Sequence, residues 1–433
     1  MENVPADGPV IFAGNHPNAL MDGWLMSANS SRWPLYFLAS AKLWEYPVLR
    51  SILNATGAVP VYRREDHQGG VDNEQAFARI YELIERGDCV CIFPEGISHN
   101  ESQLVQLKTG TARIALNVAN RGKVSASIVP CGLNYINRHR FRSQALLNFG
   151  KPIIIDDAQL DHFRRDEQAA VVALTERIAT EIRGLTINAP DWRTVRAMQI
   201  VRRLYKPGSA KLTTAQYVEL TRRFVDGYLQ QRDDPEMQAL MADAEDYQAR
   251  LDLLGLKDYQ LRQPVDIARG MRKLTVRSLA MFVLLPLAIP GALLHLPIGW
   301  IAATVGEKLS YEKDDVATLK VFAAILLLPV LYIAVAVFVG MQFGLWWGLG
   351  LLVALPFSFF ASVRLIEAEA GLILSILSLL RLSRFRHDVE DLRDTRAKLV
   401  ERIRTRVEQT VDPETQRIFT EEDFALGKGD TAG

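Results

Sequence analysis

Cysteine is scarce in this 433-residue chain: Cys89, Cys91 and Cys131 are the only three. They are too few, and odd in number, for a disulfide framework, which predicts reduced thiols and a catalytic region facing the cytoplasm. An excess of charge of either sign is also missing. Fifty Lys and Arg balance fifty Asp and Glu, so the electrostatics of the whole chain do not point to nucleic acid. No cluster of His, Cys and carboxylates stands at metal-ligand spacing, so neither a metal nor a resident cofactor is expected. An apolar fraction of 49% excludes a disordered or collagenous chain. No cleavable signal sequence is expected before the first motif, because Asp7-Gly8-Pro9 interrupts the short segment preceding Asn15-His16.

Charge is missing in a more telling way over two stretches. Leu279–Val305 runs 27 residues without Asp, Glu, Lys or Arg, and Val321–Val363 runs 43. About 20 helical residues cross the ~30 Å hydrocarbon layer of a bilayer. The second stretch therefore predicts two crossings with a turn near Gly340–Gly344, and Trp346 and Trp347 at an interface. The first is interrupted by Pro286, Pro290, Gly291 and Pro297, which predicts a re-entrant or bent hairpin, with a third crossing as the alternative. Arg262, Arg269, Arg272, Lys273 and Arg277 precede the apolar region, and Arg364, Arg381, Arg384 and Arg386 follow it. By the positive-inside rule both flanks face the cytoplasm, which favours an even number of crossings. The lone His295 reads as a polar group in a protein-packed bend. The expectation is an integral membrane protein with its soluble part on the cytoplasmic face, in the cell membrane if the source is bacterial.

Before the membrane region, short β-branched runs alternate with amphipathic stretches. Val10–Ala13, Leu35–Ala39, Ala58–Tyr62, Cys89–Phe93 and Ser127–Pro130 read as strands, and Asn73–Arg86, Gly110–Asn120 and Asp166–Gly184 as helices. That alternation predicts an α/β layer architecture with functional groups where strands run into loops. The expected organisation is an α/β domain over 1–188, a helical region over 189–277, a membrane domain over 278–363 and a charged helical tail over 364–433, solvated or forming a short coiled coil.

Four blocks carry candidate chemistry. Gly14-Asn15-His16-Pro17-Asn18-Ala19-Leu20-Met21-Asp22 follows the first strand. Histidine is suited to general-base work near neutral pH, and a carboxylate folding back onto its other ring nitrogen sets the tautomer and stabilises the imidazolium. No Ser or Cys nucleophile stands in the block, so the nucleophile is expected to be the substrate's own hydroxyl. The bland alternative is a turn histidine with Asp22 capping the next helix. Gly57-Ala58-Val59-Pro60-Val61-Tyr62-Arg63-Arg64 ends in two guanidinium groups suited to a phosphate. Phe93-Pro94-Glu95-Gly96-Ile97-Ser98-His99, with Leu107-Lys108-Thr109-Gly110, offers a carboxylate for a substrate hydroxyl and a lysine for an anion. Adjacent Ser98 and His99 point to opposite faces of an extended chain, which argues against a hydrolase pair. The fourth block, Val129-Pro130-Cys131-Gly132-Leu133-Asn134, reads as an apolar strand that turns sharply, with Cys131 packed rather than reactive.

The four blocks, in this order, resemble the glycerolphosphate acyltransferase family: Asn-His with a following aspartate, then Gly and Arg, then Phe-Pro-Glu-Gly, then a block centred on proline. The resemblance covers roughly residues 8–185. Most members place four residues between histidine and aspartate, and here Pro17 to Met21 makes five. That step, with Phe-Pro-Glu-Gly-x-Ser-His and Leu-Lys-x-Gly, looks most like the branch containing fungal glycerol-3-phosphate/dihydroxyacetone-phosphate acyltransferases, which also carries C-terminal membrane segments. The resemblance implies an α/β acyltransferase domain, a mixed sheet flanked by helices, followed by a helical region and transmembrane helices. It implies an O-acyltransferase of phospholipid synthesis in which His16 deprotonates the acceptor hydroxyl, Asp22 holds His16, and Arg63, Glu95 and Gly96 bind the phosphate and glycerol part of the acceptor. Asn15, Arg64 and Lys108 complete the candidate substrate-binding set. The expected partners are the lipid bilayer, an acyl-coenzyme A or acyl carrier protein thioester as co-substrate, and glycerol 3-phosphate or dihydroxyacetone phosphate. The alternatives are lysophosphatidic acid as acceptor, giving phosphatidic acid, or a non-catalytic lipid-binding or remodelling protein.

Overall fold

Val10-Ile11-Phe12-Ala13 is apolar at every position, as a strand covered on both faces must be, and it forms the heart of the sheet. The computed structural model describes residues 2–62, 73–138, 143–208, 210–262, 267–309, 316–384, 386–410 and 419. The chain divides into two compact units, Met1–Trp192 with Tyr311–Thr318 and Arg193–Ser310 with Leu319–Gly433.

The first unit holds β1 (Val10–Gly14), α1 (Ala19–Asn29), β2 (Leu35–Ser40), α2 (Pro47–Ala55), β3 (Val59–Val61), α3 (Glu74–Glu85), β4 (Cys89–Ile92), α4 (Gly110–Asn120), β5 (Ser127–Tyr135), β6 (Ala145–Phe149), α5 (Asp157–Arg165) and α6 (Glu167–Leu185). The six strands form one sheet in the order β3-β2-β4-β1-β5-β6. All neighbours run parallel except β5 and β6. It is a mixed sheet flanked by helices. Alternation along β1 sends Ile11 and Ala13 into one core with residues of α3, α4 and α6 and Val10 and Phe12 into another with Met26 of α1. Because β4, β1 and β5 are adjacent and parallel, the loops leaving their C-terminal ends converge on one rim of the sheet.

Four elements of the first unit are absent from the strands and helices read in the sequence: α1, α2, β6 and α5; Asp22 lies within α1, whose N-cap is Asn18. Helix α5 is held by Asp156, whose side chain accepts from Gln159 N while the Gln159 side chain caps Asp156 in return. The sharp turn expected in the fourth block does not occur. Strand β5 runs straight through Pro130 and Gly132 to Tyr135. Gly150 N donates to Pro130 O at 2.8 Å, just beyond the first β5–β6 pair, Cys131 with Phe149, so the proline sits where that ladder ends. Gly132 serves a close approach, since a Cβ there would lie 2.5 Å from Leu185 Cβ and 2.6 Å from Leu185 O.

The second unit is helical. It comprises α7 (Trp192–Tyr205), α8 (Thr214–Gln230), α9 (Pro235–Leu254), α10 (Asp258–Leu261), α11 (Ile267–Leu309), α12 (Val316–Phe343), α13 (Leu345–Arg384) and α14 (Arg386–Thr410). Where a re-entrant or bent hairpin was expected, with a third crossing as the alternative, α11 is one continuous helix with Pro286, Pro290 and Pro297 inside it, so the chain does not turn back there. Ala288–Lys308, Val316–Phe343 and Leu345–Glu367 are each long and apolar enough to cross a membrane. His295 is 5% exposed. Its Nδ1 donates to Gly291 O at 2.6 Å and its Nε2 accepts from Tyr332 Oη at 2.9 Å, a polar tie between α11 and α12.

Helix α14 is packed as well as charged. Val389, Leu392, Leu399 and Ile403 are buried at helical spacing. Arg396 Nε bonds Asp258 Oδ1 at 2.9 Å, with the aspartate side chain 1% exposed. Arg402 reaches Asp243 at 2.5 Å, and Arg250 pairs with Asp391.

Candidate active site

His16 stands two residues beyond β1, and the start of α1 brings Asp22 back beside it. His16 Nδ1 lies 2.8 Å from Asp22 Oδ2. The same oxygen accepts from Asn18 N at 2.7 Å, and Oδ1 accepts from Tyr135 Oη at 2.6 Å. The Asp22 side chain has no exposed surface, whereas that of His16 is 16% exposed. A carboxylate can only accept, so Nδ1 carries the ring proton and Nε2 is left as the accepting atom. Phe93, at the end of β4, stacks on the imidazole with centroids 4.1 Å apart and planes 6° from parallel. The candidate base and the carboxylate expected to orient it are therefore in contact, and the ring is clamped on one face.

Tight local backbone makes this possible. Ala19 adopts φ +43°, a conformation L-residues visit rarely. It stands between the two donors to Asp22 Oδ2, His16 Nδ1 and Asn18 N, and Asp22 itself.

Tyr135 is the chief residue the sequence reading missed. Its hydroxyl fixes the far oxygen of Asp22 from the last position of β5. The phenol is pushed above its ordinary range, first by burial and then by the Asp22 charge, so it remains a donor. Nothing in the one-dimensional pattern links positions 22 and 135, which only the β1–β5 pairing brings together. Tyr135→Phe is expected to lower turnover about tenfold, since a buried acceptor left unmade costs roughly 1–3 kcal/mol. Steady-state kinetics of the variant measure this.

The remaining candidates distribute as follows. Asn15 turns its carboxamide onto β5: Nδ2 donates to Leu133 O at 3.0 Å and Oδ1 accepts from Leu133 N at 2.7 Å. Gly96 adopts φ +78°, and a Cβ there would lie 2.9 Å from Lys108 Nζ, so Gly96 and Lys108 are adjacent. The Glu95 side chain is fully buried. Arg63 and Arg64 lie outside the described residues. Arg138, not singled out by the sequence, donates from Nη1 to Pro17 O at 2.8 Å and to His99 O at 3.3 Å. Cys89, Cys91 and Cys131 are buried thiols, and burial raises the pKa of each, in keeping with packing rather than nucleophilic roles. Among the described residues no group of three or more His, Cys, Asp or Glu could hold a metal ion.

Residues 197–416, just over half of the chain, match the family described as Glycerol-3-phosphate acyltransferase 2 C-terminal domain, and residues 1–134 match the family described as Acyltransferase. The chain belongs to the glycerol-3-phosphate acyltransferase family. Among relatives within it, Glycerol-3-phosphate O-acyltransferase 2 of Saccharomyces cerevisiae is 34% identical over 283 residues, 62% of this chain and 38% of the relative. Glycerol-3-phosphate O-acyltransferase 1 of the same yeast is 32% identical over 279 residues, 61% of this chain and 37% of the relative. The matched part thus spans less than half of either yeast protein. The chloroplastic 1-acyl-sn-glycerol-3-phosphate acyltransferase LPAT1 of Arabidopsis thaliana is 28% identical over 149 residues, 32% of this chain and 39% of the relative. The crystal structure of the 1-acyl-sn-glycerophosphate acyltransferase of Thermotoga maritima aligns at a TM-score of 0.30 and 19% identity, covering 42% of this chain and 68% of that one.

Proposed function

We propose that this family member is a membrane-bound O-acyltransferase that moves a fatty acyl group from a coenzyme A or acyl carrier protein thioester to a hydroxyl of glycerol 3-phosphate or dihydroxyacetone phosphate, in phospholipid synthesis. The observation that carries the reading is the 2.8 Å contact of His16 Nδ1 with a fully buried Asp22. With Nδ1 engaged, Nε2 takes the proton of the acceptor hydroxyl as its oxygen attacks the thioester carbonyl. The tetrahedral intermediate collapses with cleavage of the C–S bond, and the imidazolium returns its proton to the departing thiolate. The names of the yeast relatives support a glycerol-phosphate acceptor. Lys108 beside Gly96 is assigned to its phosphate together with Arg63 and Arg64, which follow β3 in sequence. The likeness to LPAT1 supports a second reading in which lysophosphatidic acid is the acceptor and phosphatidic acid the product. An acceptor screen of the purified chain with a radiolabelled acyl thioester decides between them. Label transferred to glycerol 3-phosphate supports the first reading, and label transferred to lysophosphatidic acid alone replaces it with the second.

We further place the catalytic unit and α14 on one side of the membrane, the cytoplasmic one. Helix α14 follows the apolar helices, α9 and α10 precede them, and the Arg396–Asp258 and Arg402–Asp243 bonds join the two. Segments that touch share a compartment, so an even number of crossings lies between them, and two of the three apolar helices cross. Basic flanks on both sides support the cytoplasmic assignment. With α12 and α13 as the crossing pair, the turn at Gly344 lies on the far face beside exposed Trp346 and Trp347. Membrane-impermeant maleimide is then expected to label Gln342→Cys only from the far face and Lys398→Cys only from the catalytic face. All three native cysteines are buried, which keeps the background low. Labelling of both positions from opposite faces in the reverse sense, or of both from one face, removes this arrangement.

A further inference from the structure

The turn after β4 contains a second carboxylate–imidazole pair, for which the acyl-transfer chemistry has no direct use. Glu95 is 2% exposed, and its side chain has no exposed surface at all. Its Oε2 accepts from His99 Nε2 at 2.5 Å and from His16 N at 3.1 Å. The reverse tie is also made, because His99 N donates to His16 O at 3.2 Å. His99 Nδ1 accepts from Glu101 N at 3.1 Å, so in the neutral ring the proton sits on Nε2 and faces the carboxylate. Arg138 closes the lattice by bonding both Pro17 O and His99 O. The main chain of His16 is thus gripped at its N–H and its carbonyl by residues of one turn, four positions apart.

A group meant for an incoming hydroxyl would need an accessible oxygen. Glu95 has none: Oε2 is filled by His99 and His16, and Oε1, which has no hydrogen-bond partner among the described residues, is buried with it. The consequence is mechanical. Phe93 and Asp22 fix the plane of the His16 ring and its Nδ1, but the height of Nε2 above the sheet rim depends on where the His16 backbone sits, and that is set by this turn.

Resting on the assignment of His16 as the general base, we propose that Glu95 and His99 are positioning residues for His16, with Glu95 acting through the His16 backbone rather than binding the acceptor. Burial opposes protonation of His99, but the bond to Glu95 and its charge outweigh it and raise the pKa, in keeping with a firmly held pair.

The test uses the full chain in detergent, with a saturating radiolabelled acyl thioester and glycerol 3-phosphate varied, and compares His99→Ala, His99→Gln and Glu95→Gln with the unaltered protein and with His16→Ala. Displacing a reacting group by about 1 Å costs on the order of 100-fold, so His99→Ala, and Glu95→Gln, which removes the charge and buries an NH₂ where Oε1 has no partner, are expected to lower kcat by about 10- to 100-fold. The acceptor KM stays within about twofold, the mark of an interaction made only in the transition state. His99→Gln restores an N–H to Glu95 and is expected to recover kcat to within about threefold. A raised KM with kcat preserved in Glu95→Gln overturns the proposal in favour of direct acceptor binding. Equal impairment of His99→Gln and His99→Ala, with unchanged thermal unfolding, overturns it as well. If His99→Ala does not fold, the contrast between His99→Gln and Glu95→Gln decides alone. Full activity of His16→Ala removes the assignment beneath, whereas an inactive His16→Ala beside a fully active Glu95→Gln removes only this inference.

Discussion

His16→Ala is expected to lower turnover about 10²- to 10⁴-fold, the range that a positioned general base supplies. Acceptor binding should change little, because the imidazole contributes through the proton it takes rather than through ground-state contacts. Asp22→Asn tests the other half of the pair, and the structure defines what that change does. Asp22 Oδ2 receives His16 Nδ1 and Asn18 N, and Oδ1 receives the Tyr135 hydroxyl. An asparagine can keep its carbonyl toward His16 and Asn18 and turn its NH₂ toward Tyr135, whose hydroxyl rotates to accept. The tautomer of His16 is then preserved, and what disappears is the negative charge that stabilises the imidazolium. A fall of about 10²-fold or more in kcat, with little change in acceptor KM, is expected. Combining Asp22→Asn with Tyr135→Phe should cost less than the two single losses multiplied together, since both act on one carboxylate. A His16→Ala protein that transfers acyl groups at the unaltered rate removes the base mechanism.

The second large effect is on stability. Gly132→Ala places a methyl group 2.5 Å from Leu185 Cβ and 2.6 Å from its carbonyl oxygen, closer than real contacts allow, and one of those atoms is backbone. The end of α6 must move off β5, breaking the Asn134 Nδ2 to Leu185 O bond of 2.9 Å. Overpacking alone costs about 1–3 kcal/mol, and the lost hydrogen bond adds roughly 1 kcal/mol. A downward shift of about 5–15 °C in the unfolding midpoint of the first unit is expected from about 2–4 °C per kcal/mol for 150–250 residues. Activity should fall with stability, because the next residue, Leu133, holds Asn15 at the root of the turn that carries His16. Gly110→Ala, at a position where a Cβ meets nothing within 4 Å, serves as the control and should melt within about 2 °C of the unaltered protein.

Local signals carried the early part of the fold. β1, β2 and β4 follow continuous apolar runs, and α3 and α4 follow helical periodicity bounded by turn residues. The elements without such signals were the ones missed. α5 carries only Leu160 and Phe163 as large apolar residues, and β6 is half-buried throughout, at the sheet edge. The fourth block was misjudged for a physical reason. Proline and glycine punctuate turns when nothing else constrains the chain, but here Pro130 lies where the β6 ladder stops and Gly132 makes room for α6. Three prolines inside α11 misled in the same manner, since each removes one backbone donor and the helix continues past it.

By itself, the order of residues determined that an imidazole and an acid would stand after the first strand, that a glycine and a lysine would serve the third block, and that the chain carries uncharged stretches long enough to cross a bilayer. Each is a property of neighbours, and spacing along the chain suffices to express it. Only the tertiary structure decided that Tyr135 anchors Asp22 from 113 positions along the chain, that Glu95 turns away from solvent to grip His16 with His99, and that α14 returns to α9 and α10. Those contacts join segments far apart in sequence. They arise because parallel strands gather their outgoing loops on one rim and because a charged helix with a buried apolar stripe must find a partner, and neither outcome is written in any local pattern.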